Sequence, residues 1–435
     1  MTDARPAAAR IPVGFWFESP AGAQWTNQGM TRLAGFIIEG AAIGKRYVFR
    51  VCVPDHIRDE AEEDLATLVA TEGLDYTIHS PRDAGIENAD FAAQAKFANA
   101  HVPVDAWISI FPNQRHVDRL KAPYSSIFPD AIGLDYHDFS DWTWGEQGPN
   151  VLWRKWVAEH LEGVNNVITF SRHVARDQVV RHFGFDPKRI RVVPHAPPTL
   201  DGILPFIQQG ARTEESRFRA AELLRRHAAE RGWTYLAGFP FEHARFIAVS
   251  TQDRVTKNIR IVADAVDRLV RHRGEDFKTF VTAQIMWGTT WTSLPATIEA
   301  AQIQYDVVSM PDLPRDVHAA FYHCAELTVH PSVFEGGRAP FPFSEGISVG
   351  TPCLVADGPH VQELVEDWPD LAPYVFDPNA ADALADLIVA VSADRDAVTR
   401  RQAGIYAEMQ QRGWQQVADE YARAALDQSD HGAGK

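Results

Sequence analysis

Short apolar, β-branched runs recur along the chain: RYVFRVCV at 46–53, DAWISIF at 105–111, NVITF at 166–170, RIRVVP at 189–194, RFIAVS at 245–250, FKTFVT at 277–282, YDVVS at 305–309, AELTV at 325–329 and PCLVA at 352–356. Runs this short and this uniformly apolar predict strands buried on both faces. Between them lie amphipathic stretches. In 258–272, Ile261, Val262, Ala265, Val266, Leu269 and Val270 recur at three- and four-residue spacing and predict a helix with one apolar stripe. Strand and helix alternate, so the fold class is α/β with parallel sheets. The alternation breaks at 197–243, where a turn rich in proline (Pro194, Pro197, Pro198) leads into a charged helical stretch at 212–231 and the aromatic LAGFPFEHARF. This predicts a domain boundary with an insertion. From 394 to about 428 charge, alanine and few breakers predict one long C-terminal helix with a frayed end.

Length and charge narrow the classes. A chain of 435 residues is about two domains. Its 58 acidic against 42 basic residues leave a net charge of −16, so the positive field that supplies non-specific nucleic-acid affinity is missing. Three cysteines, Cys52, Cys324 and Cys353, cannot all pair and have no zinc-site spacing, which suits a reducing cytoplasm. No signal peptide and no run of 18 apolar residues is found, so any membrane contact is expected to be peripheral.

The most informative segment is PSVFEGGRAPFPFSEGISVGTP at 331–352, directly after a predicted strand. Ligand crevices in open α/β sheets lie at the carboxyl ends of strands. Gly336 and Gly337 let a ligand approach the backbone, and a helix opening near Phe343 or Ser344 offers free N–H groups to an anion. Glu345 then falls on the first turn of that helix and Glu335 on the loop opposite. The alternative is an ordinary glycine-rich loop capped by Ser344, with both glutamates in solvent.

The segment resembles the C-terminal signature of the GT-B glycosyltransferases of family 4, P-S-x-x-E-G-F-G-L-P-x-x-E-A followed by a Gly and a Pro. Pro331, Ser332, Glu335, Gly336, Glu345, Gly350 and Pro352 match it. Nine residues separate the glutamates where the family has seven, and the second glycine is followed by Arg338. Three more segments are similar in order: NVITFSRHVARDQVVRHFGFDPKRIRVVPHA at 166–196, IAVSTQDRVTKN at 247–258, and the Leu-Pro passage within 308–332. The resemblance implies two Rossmann-like, doubly wound domains facing across a cleft. It divides the chain into an acceptor-binding domain at 1–200, a linker or insertion at 201–243, a nucleotide-sugar domain at 244–405, and a C-terminal helix and tail at 406–435 that return to the first domain. It also implies transfer of a hexose from a nucleoside diphosphate of UDP or GDP type to a hydroxyl, with retention and without a metal or other cofactor. Relatives often build bacterial surface polysaccharides on lipid carriers, so the acceptor expected is a glycan or lipid-linked glycan. In this frame Glu335 contacts donor-sugar hydroxyls and Glu345 the ribose. Arg254 and Lys257 hold the diphosphate, with Gly336, Gly337, Arg338 and Ser344 lining the nucleotide-sugar site. Cations there stabilise the charge that grows on the leaving diphosphate. The family's Arg usually sits further upstream, where this chain has Gln252.

On the acceptor side the resemblance points to His137 and Asp138 in DYHDFSDWTWG at 135–145, where a neutral imidazole can hold a hydroxyl and the carboxylate can set its tautomer. It also points to Gln28 and Gly29 in AGAQWTNQGMTR at 21–32, with Trp25 either stacking on an acceptor sugar or packing in the core. VLWRKWVAEHL at 151–161, with Trp153, Arg154, Lys155 and Trp156, is either a membrane-surface helix or one packed in the first domain. His195 and His330 follow strands and are read as structural or site-facing. The pair Asp394 and Asp396 has Asp-x-Asp spacing but falls in a helical stretch, so no metal site is expected. Two other classes remain open: a GT-B sugar-nucleotide epimerase, and a non-catalytic nucleotide-sugar-binding protein.

Overall fold

The computed structural model of the chain describes residues 10–20, 22, 25, 29–68, 76–136, 149–288 and 292–427. Backbone contacts divide the chain into two compact units, 1–196 with 412–435 and 197–411.

The first unit is a seven-stranded sheet of β1 (Ile11–Trp16), β2 (Tyr47–Cys52), β3 (Tyr76–His79), β4 (Ala106–Ser109), β5 (Tyr124–Ile127), β6 (Val167–Thr169) and β7 (Ile190–Val192). All neighbours are parallel, in the order β3-β2-β1-β4-β5-β6-β7. Phe15 and Phe49 stack across β1 and β2 at 4.6 Å. Helices Gly29–Gly44 and Trp414–Leu426 pack together, with Phe36 stacked on Trp414 at 4.6 Å. Gly40 permits this approach, because a Cβ there would lie 2.1 Å from the Trp414 carbonyl oxygen. In helix Pro149–Gly163, Trp153 packs on Phe128 and Phe183 and Trp156 lies under the Arg115 guanidinium. The packed alternative for 151–161 is therefore what the structure contains, with Arg154 and Lys155 outside. Among the described residues no helix is long and apolar enough to cross a membrane.

The second unit repeats the plan with six parallel strands: β8 (Phe246–Val249), β9 (Lys278–Val281), β10 (Val307–Ser309), β11 (Leu327–His330), β12 (Cys353–Ala356) and β13 (Val375–Phe376), ordered β10-β9-β8-β11-β12-β13. Every residue of β8, β11 and β12 is buried, and β8 and β12 accordingly read as unbroken apolar runs. The predicted helix at 258–272 is Ile259–Asp267 continued by a π-helical turn, Arg268–His272.

Two expectations about organisation are corrected. Residues 201–243 are integral to the second unit instead of a linker or insertion. Thr213 caps helix Glu214–Glu230, whose Ala220, Ala221 and Leu224 join one core with Phe246, Phe280 and Phe321. Its charge is the solvent face of an amphipathic helix covering the sheet. The 394–428 stretch is two helices, Arg395–Met409 in the second unit and Trp414–Leu426 in the first. The chain passes from the second unit to the first between Gln411 and Arg412, and Gly413 lies in extended conformation before the last helix.

Candidate functional site

In the second unit the strand order reverses between β8 and β11: β9 and β10 lie outside β8, β12 and β13 outside β11. Connections leaving the carboxyl ends of β8 and β11 diverge and open the crevice in which such sheets bind ligands. The connection after β8 forms one 3₁₀ turn, Val255–Lys257, then places Asn258 in the left-handed region (φ 46°), where its Nδ2 donates to the Pro378 carbonyl at 2.9 Å. The connection after β11 is stitched to that turn. Val333 N donates to the Thr256 carbonyl at 3.1 Å, and Ser332 Oγ donates to the same oxygen at 3.3 Å and to Phe334 O at 2.8 Å.

These contacts bring Lys257 and Glu335 together. Lys257 Nζ donates to Glu335 Oε1 at 2.5 Å, with side chains 20% and 24% exposed. His330 Nε2 lies 3.2 Å from the same oxygen. His360, fully buried at the start of helix Pro359–Asp367, has its ring 6.3 Å from that of His330. Burial alone would raise the Glu335 carboxyl, but Lys257 and then His330 and His360 outweigh it and hold the group well below the usual carboxylate range. The result is an ionised carboxylate and an ammonium at a crevice mouth, able to meet sugar hydroxyls and a diphosphate respectively. Arg254, three residues before Lys257, is exposed and makes no ion pair with any described residue.

Helix Phe341–Ser348 starts two to three residues before the expected opening, so Glu345 is its fifth residue and not in its first turn. Neither glutamate is in open solvent: Glu345 is 2% exposed and its Oε2 accepts from Tyr322 Oη at 3.3 Å. Ser344 is also buried, and its Oγ has no hydrogen-bond partner among the described residues. Gly336 is buried and Gly337 half-buried. Arg338 is engaged elsewhere, ion-paired to Asp367 and lying over Trp368 at 5.3 Å.

Of the acceptor-side candidates, His137, Asp138 and Gln28 lie outside the described residues. Gly29 is exposed at the start of its helix, with open space where a Cβ would be. Trp25 takes its packing alternative: it is buried against Phe17, its Nε1 donates to Asp64 Oδ2 at 2.8 Å and its amide to Glu60 Oε2 at 2.8 Å. His195 is half-buried against Phe170, and desolvation, helped by Arg412, pushes its pKa down to about 3, so it stays neutral. His330 is the one of these two histidines that faces the second-unit site.

Sequence reasoning missed His360 and Tyr322. A histidine one residue past a Gly-Pro at a strand end was a usable signal for His360. Tyr322 lies in the last turn of helix Arg315–Cys324 and has no such mark. Arg395, between Asp394 and Asp396, is buried and donates to the Glu326 and Gly350 carbonyls, a structural role. Among the described residues no group of three or more His, Cys, Asp or Glu is arranged to hold a metal ion. All three cysteines are free and buried, with the Cys52 and Cys324 thiols pushed up to about 12 by burial.

Two Rossmann-like units, each with its strand order reversing beside its first strand, constitute the GT-B fold. The family model described as Glycosyl transferases group 1 matches residues 239–410, which lie within the second unit. Solved structures with this fold include Anabaena HepE in complex with UDP and glucose, at 13% identity and TM-score 0.64 over 95% of this chain and 99% of that one. Sucrose-phosphate synthase from Thermosynechococcus elongatus is similar at 14% identity and TM-score 0.63, covering 95% and 98%. Trehalose 6-phosphate synthase from Burkholderia multivorans is similar at 11% identity and TM-score 0.58, covering 96% and 98%. No match is found among curated protein sequences.

Proposed function

We propose that the protein transfers a hexose from a nucleoside-diphosphate sugar of UDP or GDP type to a hydroxyl of a glycan or lipid-linked glycan, with retention, without a metal, and in the cytoplasm. The observation that carries this reading is the Lys257–Glu335 pair at the β8/β11 reversal of the unit that matches the glycosyl transferases group 1 model. HepE has been seen with UDP-glucose, which supports a donor of this class. An arriving diphosphate takes the Lys257 ammonium, joined by Arg254, and frees Glu335 Oε1 for sugar hydroxyls, while Glu345 serves the ribose. The bond from the anomeric carbon to the phosphate oxygen breaks, and the acceptor oxygen bonds on the same face. The acceptor proton passes to the departing phosphate, so no dedicated base is needed. The cations act where charge accumulates, which is how differential transition-state binding raises turnover. Bacterial surface polysaccharide is the product class in keeping with this chemistry.

A thermal-shift screen with UDP, GDP, ADP and dTDP, with and without EDTA, followed by turnover of the corresponding sugars, tests the reading. Stabilisation by one diphosphate, undiminished by EDTA, and transfer to an added glycoside are expected. No shift with any of the four overturns it, and donor conversion that never requires an acceptor indicates an epimerase instead.

A further inference from the structure

The first unit carries its own strand-order reversal, between β1 and β4, and there the connections place a second charged pair. Glu18 lies two residues beyond β1, and His116 lies in the connection after β4. The Glu18 side chain is only 7% exposed and is surrounded by donors. Its Oε1 accepts from Trp16 Nε1 at 3.0 Å and from the His116 amide at 2.6 Å; its Oε2 accepts from the Arg115 amide at 3.1 Å. The fourth contact is His116 Nδ1, 3.2 Å from Oε2. Gln114 closes the floor. With its amide oriented to satisfy both ends, it accepts from Glu18 N at 3.0 Å and donates to Trp16 O and Ser109 Oγ, each at 2.8 Å.

A carboxylate receiving three other N–H donors acts as an acceptor throughout, so the nitrogen facing it, His116 Nδ1, carries the hydrogen. In the neutral ring Nε2 is then the lone-pair nitrogen, on an imidazole 30% exposed, with no hydrogen-bond partner among the described residues. A carboxylate-oriented imidazole with its far nitrogen open is an arrangement suited to accepting a hydrogen bond from a hydroxyl. We propose that His116 is an acceptor-binding residue, its Nε2 receiving the hydrogen bond of a hydroxyl on a sugar or related polyol, and that Glu18 is the positioning residue that sets its tautomer. This rests on the transferase reading and adds to it the group that holds the acceptor hydroxyl.

The test uses full-length protein with ¹⁵N-labelled histidine and the probes methyl α-D-glucopyranoside, methyl α-D-mannopyranoside and methyl β-D-galactopyranoside. Long-range ¹H–¹⁵N spectra should show His116 protonated on Nδ1 and bare on Nε2, with Nε2 shifting saturably on addition of at least one glycoside. Glu18→Gln should lose the fixed tautomer, a signature that a merely structural carboxylate would not control. In transfer assays with the donor found by the nucleotide screen, His116→Asn should raise the KM for the responsive glycoside at least tenfold. Stabilisation by the nucleoside diphosphate should persist in this variant. Protonation on Nε2, no shift with any of the three glycosides, or an unchanged acceptor KM in His116→Asn overturns the proposal. Absence of nucleotide stabilisation in the wild type would instead overturn the transferase reading.

Discussion

Replacing Lys257 with Ala removes the ammonium that sits 2.5 Å from Glu335 Oε1 and, in the proposed mechanism, meets the diphosphate. A charge-assisted hydrogen bond contributes about 1.5–3 kcal/mol, so diphosphate affinity should fall about 10- to 150-fold. At a diphosphate concentration near 100 times the wild-type Kd, ligand stabilisation is about 2.7 kcal/mol, and it should shrink to about 0.3–1.3 kcal/mol. For a unit of this size that turns a thermal shift of about 5–10 °C into one of about 1–5 °C. Turnover of the donor should fall further, about 10²- to 10³-fold, because the leaving diphosphate carries more charge than the bound one. The unliganded protein should lose only about 1–2 kcal/mol, less than the 3–5 kcal/mol expected for a fully buried pair, since both side chains are partly exposed and His330 stays beside Glu335. Differential scanning fluorimetry with and without diphosphate, beside donor-hydrolysis kinetics, reads all three quantities. A folded Lys257→Ala protein that keeps the wild-type diphosphate shift and turns over within about threefold of wild type would refute the assignment of Lys257.

Gly350 sits at φ +85°, and a Cβ there would lie 1.9 Å from the Gly210 carbonyl oxygen. Gly350→Ala combines left-handed strain with overpacking and should cost about 2–5 kcal/mol by urea denaturation. Trp25→Ala should cost about 3–5 kcal/mol in the same assay, as a packed residue does; intact stability with a raised acceptor KM would restore the stacking role. The imidazoles of His160, His195 and His323 are pushed down to about 4, 3 and 4, chiefly by desolvation. The unfolded chain therefore binds more protons between its ordinary value near 6.5 and those folded values. Stability is full above about pH 6.5 and falls as the pH drops toward 4, by up to about 1.4 kcal/mol per pH unit for each histidine. Urea midpoints from pH 7.5 to 5 should show the decline, and His323→Gln should flatten it. Glu335, whose folded pKa is lowered, contributes stability that is present above its unfolded value and lost only as the pH falls through the folded one. It should therefore leave the pH 5 to 7.5 window unchanged.

The linear chain determined the class of fold because strands buried on both faces are apolar at most of their positions. Each of the nine runs named from the sequence coincides with a strand, from Tyr47–Cys52 to Cys353–Ala356, the one at 325–329 ending a residue short of its strand. Four strands were not named. β5 reads as YSSI because Ser125 is satisfied by the Ala424 carbonyl of the C-terminal helix, 299 positions away, a contact no local window contains. The 201–243 stretch looked like an insertion because half of an amphipathic helix is polar, and only its packing on Phe246 and Phe321 made it core. Lys257 and Glu335 were each legible as candidates from their place after predicted strands, and their pairing was not. They are 78 residues apart and meet because β8 and β11, distant in sequence, are neighbours at the reversal of strand order. The same cause hid Glu18 and His116, which are 98 positions apart and unremarkable as letters. Composition and periodicity are local properties and specify which elements form. Which strand ends adjoin, and hence which side chains can share a proton or an anion, is a property of the sheet and is decided only when it assembles.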